Sequence, residues 1–234
     1  MLELFITGVD QNSDKIFVTA GLTALMQSLG YSSGVYKPVE VGVSVKDGFV
    51  QSPDLAFVKY VDSYVKTYFS YLLKENMPPL LAAAAEEISI EKNTIQADFQ
   101  KIQNVNEVLI VEGVSGLGAP LNKNFLEEDM IKMFNIPLVL VAQNQTIDSI
   151  LLSINHAKDL GIEVRGVILI DYSNDNINLK LMPKLIKEYT NVEILGTLPH
   201  FEKNINPNDL INEILNGINI EKVFNISIPK LSGS

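Results

Sequence analysis

Short apolar runs recur along the chain, with segments of mixed character between them. They are LELFIT at 2–7, SGVYKPV at 33–39, EVLIVEG at 107–113, PLVLVAQ at 137–143, VRGVILI at 164–170 and VEILGTLP at 192–199. Rich in Val, Ile and Leu and apolar on both faces, they have the character of strands buried inside a parallel sheet. The segments 15–29, 91–104, 124–134, 146–160, 177–190 and 207–217 carry apolar residues at helical spacing, and Gly30, Gly161 and Gly217 stand where helices should end. This alternation predicts an α/β fold: a doubly wound, mainly parallel sheet with helices on both faces. No internal repeat or low-complexity linker interrupts it, so a single domain over 1–234 is expected.

The stretch SPDLAFVKYVDSYVKTYFSYLL opens as a helix, with Ser52 as N-cap, Pro53 at the first helical position and Asp54 in the first turn. Its second half, VKTYFSYLL, is β-branched and aromatic and could instead form an edge strand. If the helix continued, Tyr60, Tyr64, Tyr68 and Tyr71 would form one stripe, suited to a packed core or a dimer face. The next segment, MPPLLAAAAEE, reads as a helix opened by prolines.

Composition narrows the chemistry. The chain has no cysteine and two histidines, which excludes disulfides, Fe–S clusters and a cysteine nucleophile and disfavours His-based catalysis. A net charge of −10 argues against a nucleic-acid partner, whose phosphates need Lys and Arg. Apolar runs too short to span a bilayer, and a start without the pattern of a signal peptide, make a cytoplasmic protein the expectation, with no membrane partner.

In open parallel sheets ligands bind at the carboxyl ends of strands. Four features fall there: GVDQNSDKI at 8–16, Lys37, Glu112 with the glycines of EGVSGLG, and the segment 170–175. Strand, Gly-rich turn and helix in succession form the setting of a phosphate loop. Lys15, Lys37, Asp54 and Glu112 together supply two cations for phosphates and two carboxylates for Mg²⁺, as phosphoryl transfer requires. Glu112 ends a buried strand and needs a partner there. His156 and His200 have no constellation around them and read as surface or capping residues.

FITGVD…K, VYKPVEVG, SPD, MPPLLAA, VLIVEGVSGLGAPL, IPLVLVAQNQTID and LGTLP occur in the order and at the intervals of dethiobiotin synthetases, which the chain resembles over about 2–200. The resemblance implies a P-loop NTPase-like, Rossmann-like three-layer sandwich. It also implies a homodimer using Mg-ATP and CO₂ to close the ureido ring on 7,8-diaminopelargonic acid, by way of a carbamate and a carbamic-phosphoric anhydride. By position, Lys15 would be the phosphate-loop lysine and Lys37 the lysine on carbamate and γ-phosphate, both catalytic. Asp54 and Glu112 would be the magnesium carboxylates. Gly8, Asp10, Gln11, Asn12, Ser13, Asp14, Lys15 and Ile16 would form the nucleotide loop, and Ile170 would occupy the adenine-reading position. Lys37, Val41, Gly113, Val114, Ser115 and Gly116 would line the substrate.

Five positions depart from the family pattern: Asp14 for glycine, Ile16 for threonine, Val41 for serine, Pro79 for histidine and Ile170 for asparagine. At ~4–6 Å and an effective dielectric of about 20, the Asp14 charge beside a phosphate would cost on the order of 3–4 kcal/mol before screening. Ile16 offers magnesium no hydroxyl. Three readings stay open: a ligase of this type with weakened or altered nucleotide use, ATP or another nucleoside triphosphate; a non-catalytic descendant serving as a binding or scaffold dimer; and an amidoligase-like enzyme with another substrate.

Overall fold

A computed structural model describes residues 1–11, 13–46, 49–143, 146–171 and 177–227. The strands are β1 (Leu2–Gly8), β2 (Ser33–Val41), β3 (Ser44–Lys46), β4 (Phe49–Gln51), β5 (Lys66–Leu73), β6 (Val108–Glu112), β7 (Pro120–Asn122), β8 (Phe125–Leu126), β9 (Leu138–Gln143), β10 (Val164–Ile170) and β11 (Ile194–Leu198). The helices are α1 (Lys15–Ser28), α2 (Pro53–Val61), α3 (Pro79–Ala85), α4 (Lys92–Gln103), α5 (Glu127–Phe134), α6 (Ile147–Asp159), α7 (Ile177–Thr190), α8 (Pro207–Gly217) and α9 (Ile220–Phe224). Seven strands form one sheet in the order β11-β10-β9-β1-β6-β2-β5, every pairing parallel.

Helices cover both faces, so the apolar residues of each strand divide between two cores. Phe5, Leu109, Val111 and Leu140 pack with α4, α5, α6 and α7 on one face. Leu4, Ile6, Ile110 and Val141 pack with α1, α2, α8 and α9 on the other. This is the three-layer α/β architecture, and the six apolar runs all become central-sheet strands.

The ambiguous stretch divides. Helix α2 ends at Val61, and the aromatic half becomes β5, which forms the edge of the sheet beside β2. The tyrosines therefore form no stripe: Tyr60 ends up on α2, Tyr64 in the connection, and Tyr68 and Tyr71 on β5. Residues 124–126 are not helical, because Phe125 pairs with Asn122 in a small hairpin and α5 starts at Glu127. Gly30 and Gly161 end their helices with positive φ, as expected. Gly217 instead is the last residue of α8, where a Cβ would lie 2.8 Å from the Thr197 carbonyl, so close approach and not a left-handed turn requires glycine.

Candidate functional site

Strands β1, β6, β2 and β9 lie side by side, and their carboxyl ends carry the expected chemistry. At β1 the chain turns at Gly8, where a Cβ would meet the Asp10 carbonyl at 2.1 Å and Ser13 Oγ at 2.4 Å. The loop thus folds back on itself before α1. Ser13 is fully buried, and its Oγ has no hydrogen-bond partner among the described residues. Asn12 lies outside the described residues.

Asp14 adopts φ 52°, ψ 24°, a left-handed conformation that glycine takes freely and that Asp tolerates better than most residues. Its carboxylate accepts a hydrogen bond from Gln143 Nε2 at 2.7 Å, across from the end of β9. The substitution therefore keeps the turn a glycine would make, and the charge it adds has a donor. Ile16 is buried among the apolar residues of α1 and its neighbours. Ile170, placed in the sequence reading at the adenine position, is fully buried in that same core. Its side chain packs there among apolar neighbours such as Leu198 and Ile168. The rest of the segment, 172–175, lies outside the described residues.

The pairing register brings Lys37 to Glu112. Tyr36 lies opposite Val111 and Ile6 opposite Glu112, so Lys37, one residue on, reaches the end of β6. Its ammonium donates to Glu112 Oε1 at 2.8 Å and also to Asp54 Oδ2. Burial alone would lower the Lys37 pKa, but the charges of Glu112, Asp54 and Glu40 outweigh it and raise the value. Asp54 shifts oppositely: burial would raise it, and Lys37 together with Lys15 pulls it below the ordinary carboxylate range. Glu112 is fully buried with its second oxygen, Oε2, unpartnered among the described residues.

Lys15, at the start of α1, is buried and donates from Nζ to the Val114 carbonyl at 2.9 Å. Burial and the nearby Lys37 lower its pKa, opposed by Glu112, Glu127 and Asp54. Four of the sequence-derived residues, Lys15, Lys37, Asp54 and Glu112, thus meet in one electrostatic cluster.

Two further carboxylates belong to it that sequence reasoning missed. Glu40 accepts from the Ser52 hydroxyl and from the Asp54 amide at 3.1 Å, so it fixes the start of α2 and with it Asp54; burial pushes its carboxyl up. Glu127, at the first position of α5, is fully buried and accepts from the Thr7 hydroxyl, the Val114 amide at 2.7 Å and the Ser115 amide at 3.2 Å. Its signal was readable: residues 127, 130, 131 and 134 share one helical face, and the other three are the apolar Met130, Ile131 and Phe134.

Beside this cluster opens a cavity of about 560 Å³. Val9, Asp10 and Gln11 form one wall, Val41 and Pro79 another, and Val114–Pro120 the floor, with Leu152, Ser153 and His156 of α6 closing the side. Asp10, Gln11, Val41, Val114, Ser115 and Gly116 therefore share one chamber, whereas Lys15, Lys37, Asp54 and Glu112 do not line it. His156 is half exposed and pairs with Glu128 at 2.6 Å, and His200 is equally exposed beside Glu202 at 3.3 Å.

No group of three or more His, Cys, Asp or Glu suited to a metal is found among the described residues. The residues nonetheless fit a nucleotide-bound Mg²⁺, a cation held through only one or two protein carboxylates plus phosphates and water. Asp54 and Glu112 are two such carboxylates, and the unpartnered Glu112 Oε2 is a buried acceptor. The folded-back loop, the buried Ser13 hydroxyl and the start of α1 suit a phosphate in the same way. No helix among the described residues is long and apolar enough to cross a membrane.

Comparison with known proteins agrees with this geometry. A family model described as an AAA domain matches residues 3–208. The ATP-dependent dethiobiotin synthetase BioD of Anoxybacillus flavithermus is 30% identical over 205 residues, covering 86% of this chain and 92% of that protein. Its counterpart in Clostridium perfringens is 30% identical over 226 residues, covering 92% and 98%. Among solved structures, the MinC:MinD cell division protein complex of Aquifex aeolicus superposes with a TM-score of 0.58 at 14% identity over 100% of both chains, which is a likeness of fold alone. With a family model matched over residues 3–208 and that identity spread over most of both chains, the chain belongs to the dethiobiotin synthetase family of AAA-domain proteins.

Proposed function

We propose that the protein is an ATP- and Mg²⁺-dependent ligase of dethiobiotin-synthetase type, carboxylating 7,8-diaminopelargonic acid and closing its ureido ring in the cytoplasm. The observation that carries this reading is the buried Lys37, paired with both Asp54 and Glu112, while Glu112 Oε2 has no partner among the described residues. Asp54 and Glu112 would hold magnesium, which would supply positive charge to offset that of the phosphates. The chain's own residues would do the rest. Lys37 is paired with two carboxylates, whose charges raise its pKa against burial, so it can offset charge on a transferring phosphoryl group. Lys15, at the start of α1 beside the loop, would turn from the Val114 carbonyl to phosphate. The cavity bounded by Val41, Pro79 and the 114–120 loop would hold the diamine, its apolar walls suiting a long methylene chain. A homodimer, as the resemblance implies, forms part of the proposal.

Ile16 and the buried Ile170 favour a second reading, a descendant that keeps the fold as a binding or scaffold protein without catalysis. Calorimetric titration of Mg-ATP into the protein, with CTP and GTP alongside, separates the two. Micromolar binding supports the ligase; no heat up to millimolar nucleotide supports the second reading.

A further inference from the structure

The loop after β6 is held by a carboxylate that the family-derived set of site residues does not contain. Glu127 lies fully buried at the start of α5, on the face of the sheet opposite α1. Its Oε1 takes the hydroxyl of Thr7, next to the Gly8 turn, and its Oε2 takes the amides of Val114 and Ser115. Gly113 allows this approach, since a Cβ there would lie 2.3 Å from Oε1. The backbone repeats the attachment: the Glu127 amide donates to the Ala119 carbonyl at 2.9 Å and the Glu128 amide to Leu117 at 3.0 Å.

The peptide groups at Val114 are therefore fixed on both sides, its amide by Glu127 and its carbonyl by Lys15 Nζ at 2.9 Å. The Gly113 amide is also taken, by the Ile6 carbonyl at 2.9 Å. Three successive amides of the loop are thus unavailable to a ligand, so what the loop presents is set by where Glu127 holds it.

We propose that Glu127 is a positioning residue: by clamping the Val114 and Ser115 amides to the end of β1, it sets the loop that lines the cavity and the carbonyl on which Lys15 rests. The role is one of reach, and needs no charge. A glutamine of the same length can accept both amides through its oxygen and donate to the Thr7 hydroxyl, which accepts as readily as it donates. An aspartate keeps the charge but is one methylene too short to hold both ends.

The test crosses these two variants and, in its binding arm, rests on the ligase reading that Lys15 meets phosphate. In Glu127→Gln, amide exchange at Val114 and Ser115 and the affinity for Mg-ATP should stay within about threefold of wild type. In Glu127→Asp, both should change by about tenfold or more, the scale of a buried hydrogen bond left unmade. The proposal is overturned if the aspartate variant matches wild type in both, or if the glutamine variant loses both. If wild type binds no Mg-ATP, the ligase reading fails, and the exchange rates alone still decide the role of Glu127. Should Glu127→Asp not fold, Thr7→Val removes one donor: faster exchange at Val114 supports the clamp, and unchanged exchange overturns it.

Discussion

Lys37 shows how one buried charge organises its surroundings. Its ammonium is the direct partner of both Glu112 and Asp54, so Lys37→Ala leaves two carboxylates without their cation. Breaking a buried pair costs about 3–5 kcal/mol, and we predict a loss of that order in chemical denaturation, together with loss of turnover. Asp14 behaves differently. Its left-handed backbone is open to glycine, so Asp14→Gly should fold unchanged and, by removing a negative charge beside the phosphate loop, tighten Mg-nucleotide binding roughly tenfold in calorimetry. Unchanged affinity would mean that the Gln143 hydrogen bond already directs the charge away. Glu127 carries a pH signature. Burial pushes its carboxyl above the ordinary 4.5, against the pull of Thr7, Lys15 and two amides. A carboxyl with a raised folded pKa adds stability that is complete below the unfolded value and is lost as pH rises through the folded one. Glu127→Gln removes that loss, so its melting temperature should exceed wild type at neutral pH and converge with it below pH 4.5. Lys15 and Asp54 were legible because they open helices, and Glu112 because it ends a buried strand. Lys37 was expected at a strand end, but β2 runs on to Val41, and Lys37 lies within it, level with the end of β6. Glu127 was hidden in the acidic run EED at a helix start, which reads as solvated charge until its helical face is traced.

At the scale of elements, α2 is the piece that brings Asp54 to the sheet. The Ser52 hydroxyl accepts from the Leu55 amide at 3.0 Å, Pro53 opens the helix, and Glu40 holds both Ser52 and the Asp54 amide. Ser52→Ala removes the cap and a donor to buried Glu40. It should cost about 1–2 kcal/mol in denaturant unfolding and weaken magnesium dependence, because Asp54 loses its anchor. The cap was readable as Ser-Pro-Asp; the role of Glu40 was not, since it depends on β2 and α2 meeting in space. Long elements were visible because five or more successive residues share one burial pattern in buried strands such as β6 and β10. The hairpins β3–β4 and β7–β8 are too short to show a period and arise from local pairing alone. The helix expected from 124 starts late for the same reason, as Phe125 turns inward to a bridge and the core.

For the whole molecule, the doubly wound sheet gathers loops from distant parts of the sequence at one end, and the reading of function rests on that gathering. Two lysines and the carboxylates of Asp54 and Glu112 converge there in a chain already acidic overall, a set suited to taking up a divalent cation with a phosphate. The homodimer implied by the resemblance should appear in sedimentation as a species of twice the 25.9 kDa chain mass; a monomer at micromolar concentration would remove that part of the proposal. The fold class was legible from alternating elements, whereas the cavity was not, because α6 and the 77–79 segment approach it only in three dimensions. The most direct test of the central claim is release of ADP by the purified protein, given Mg-ATP, bicarbonate and 7,8-diaminopelargonic acid. Release that requires the diamine and disappears in Lys37→Ala is the predicted result. No release with any nucleoside triphosphate, even at high enzyme concentration, would contradict it.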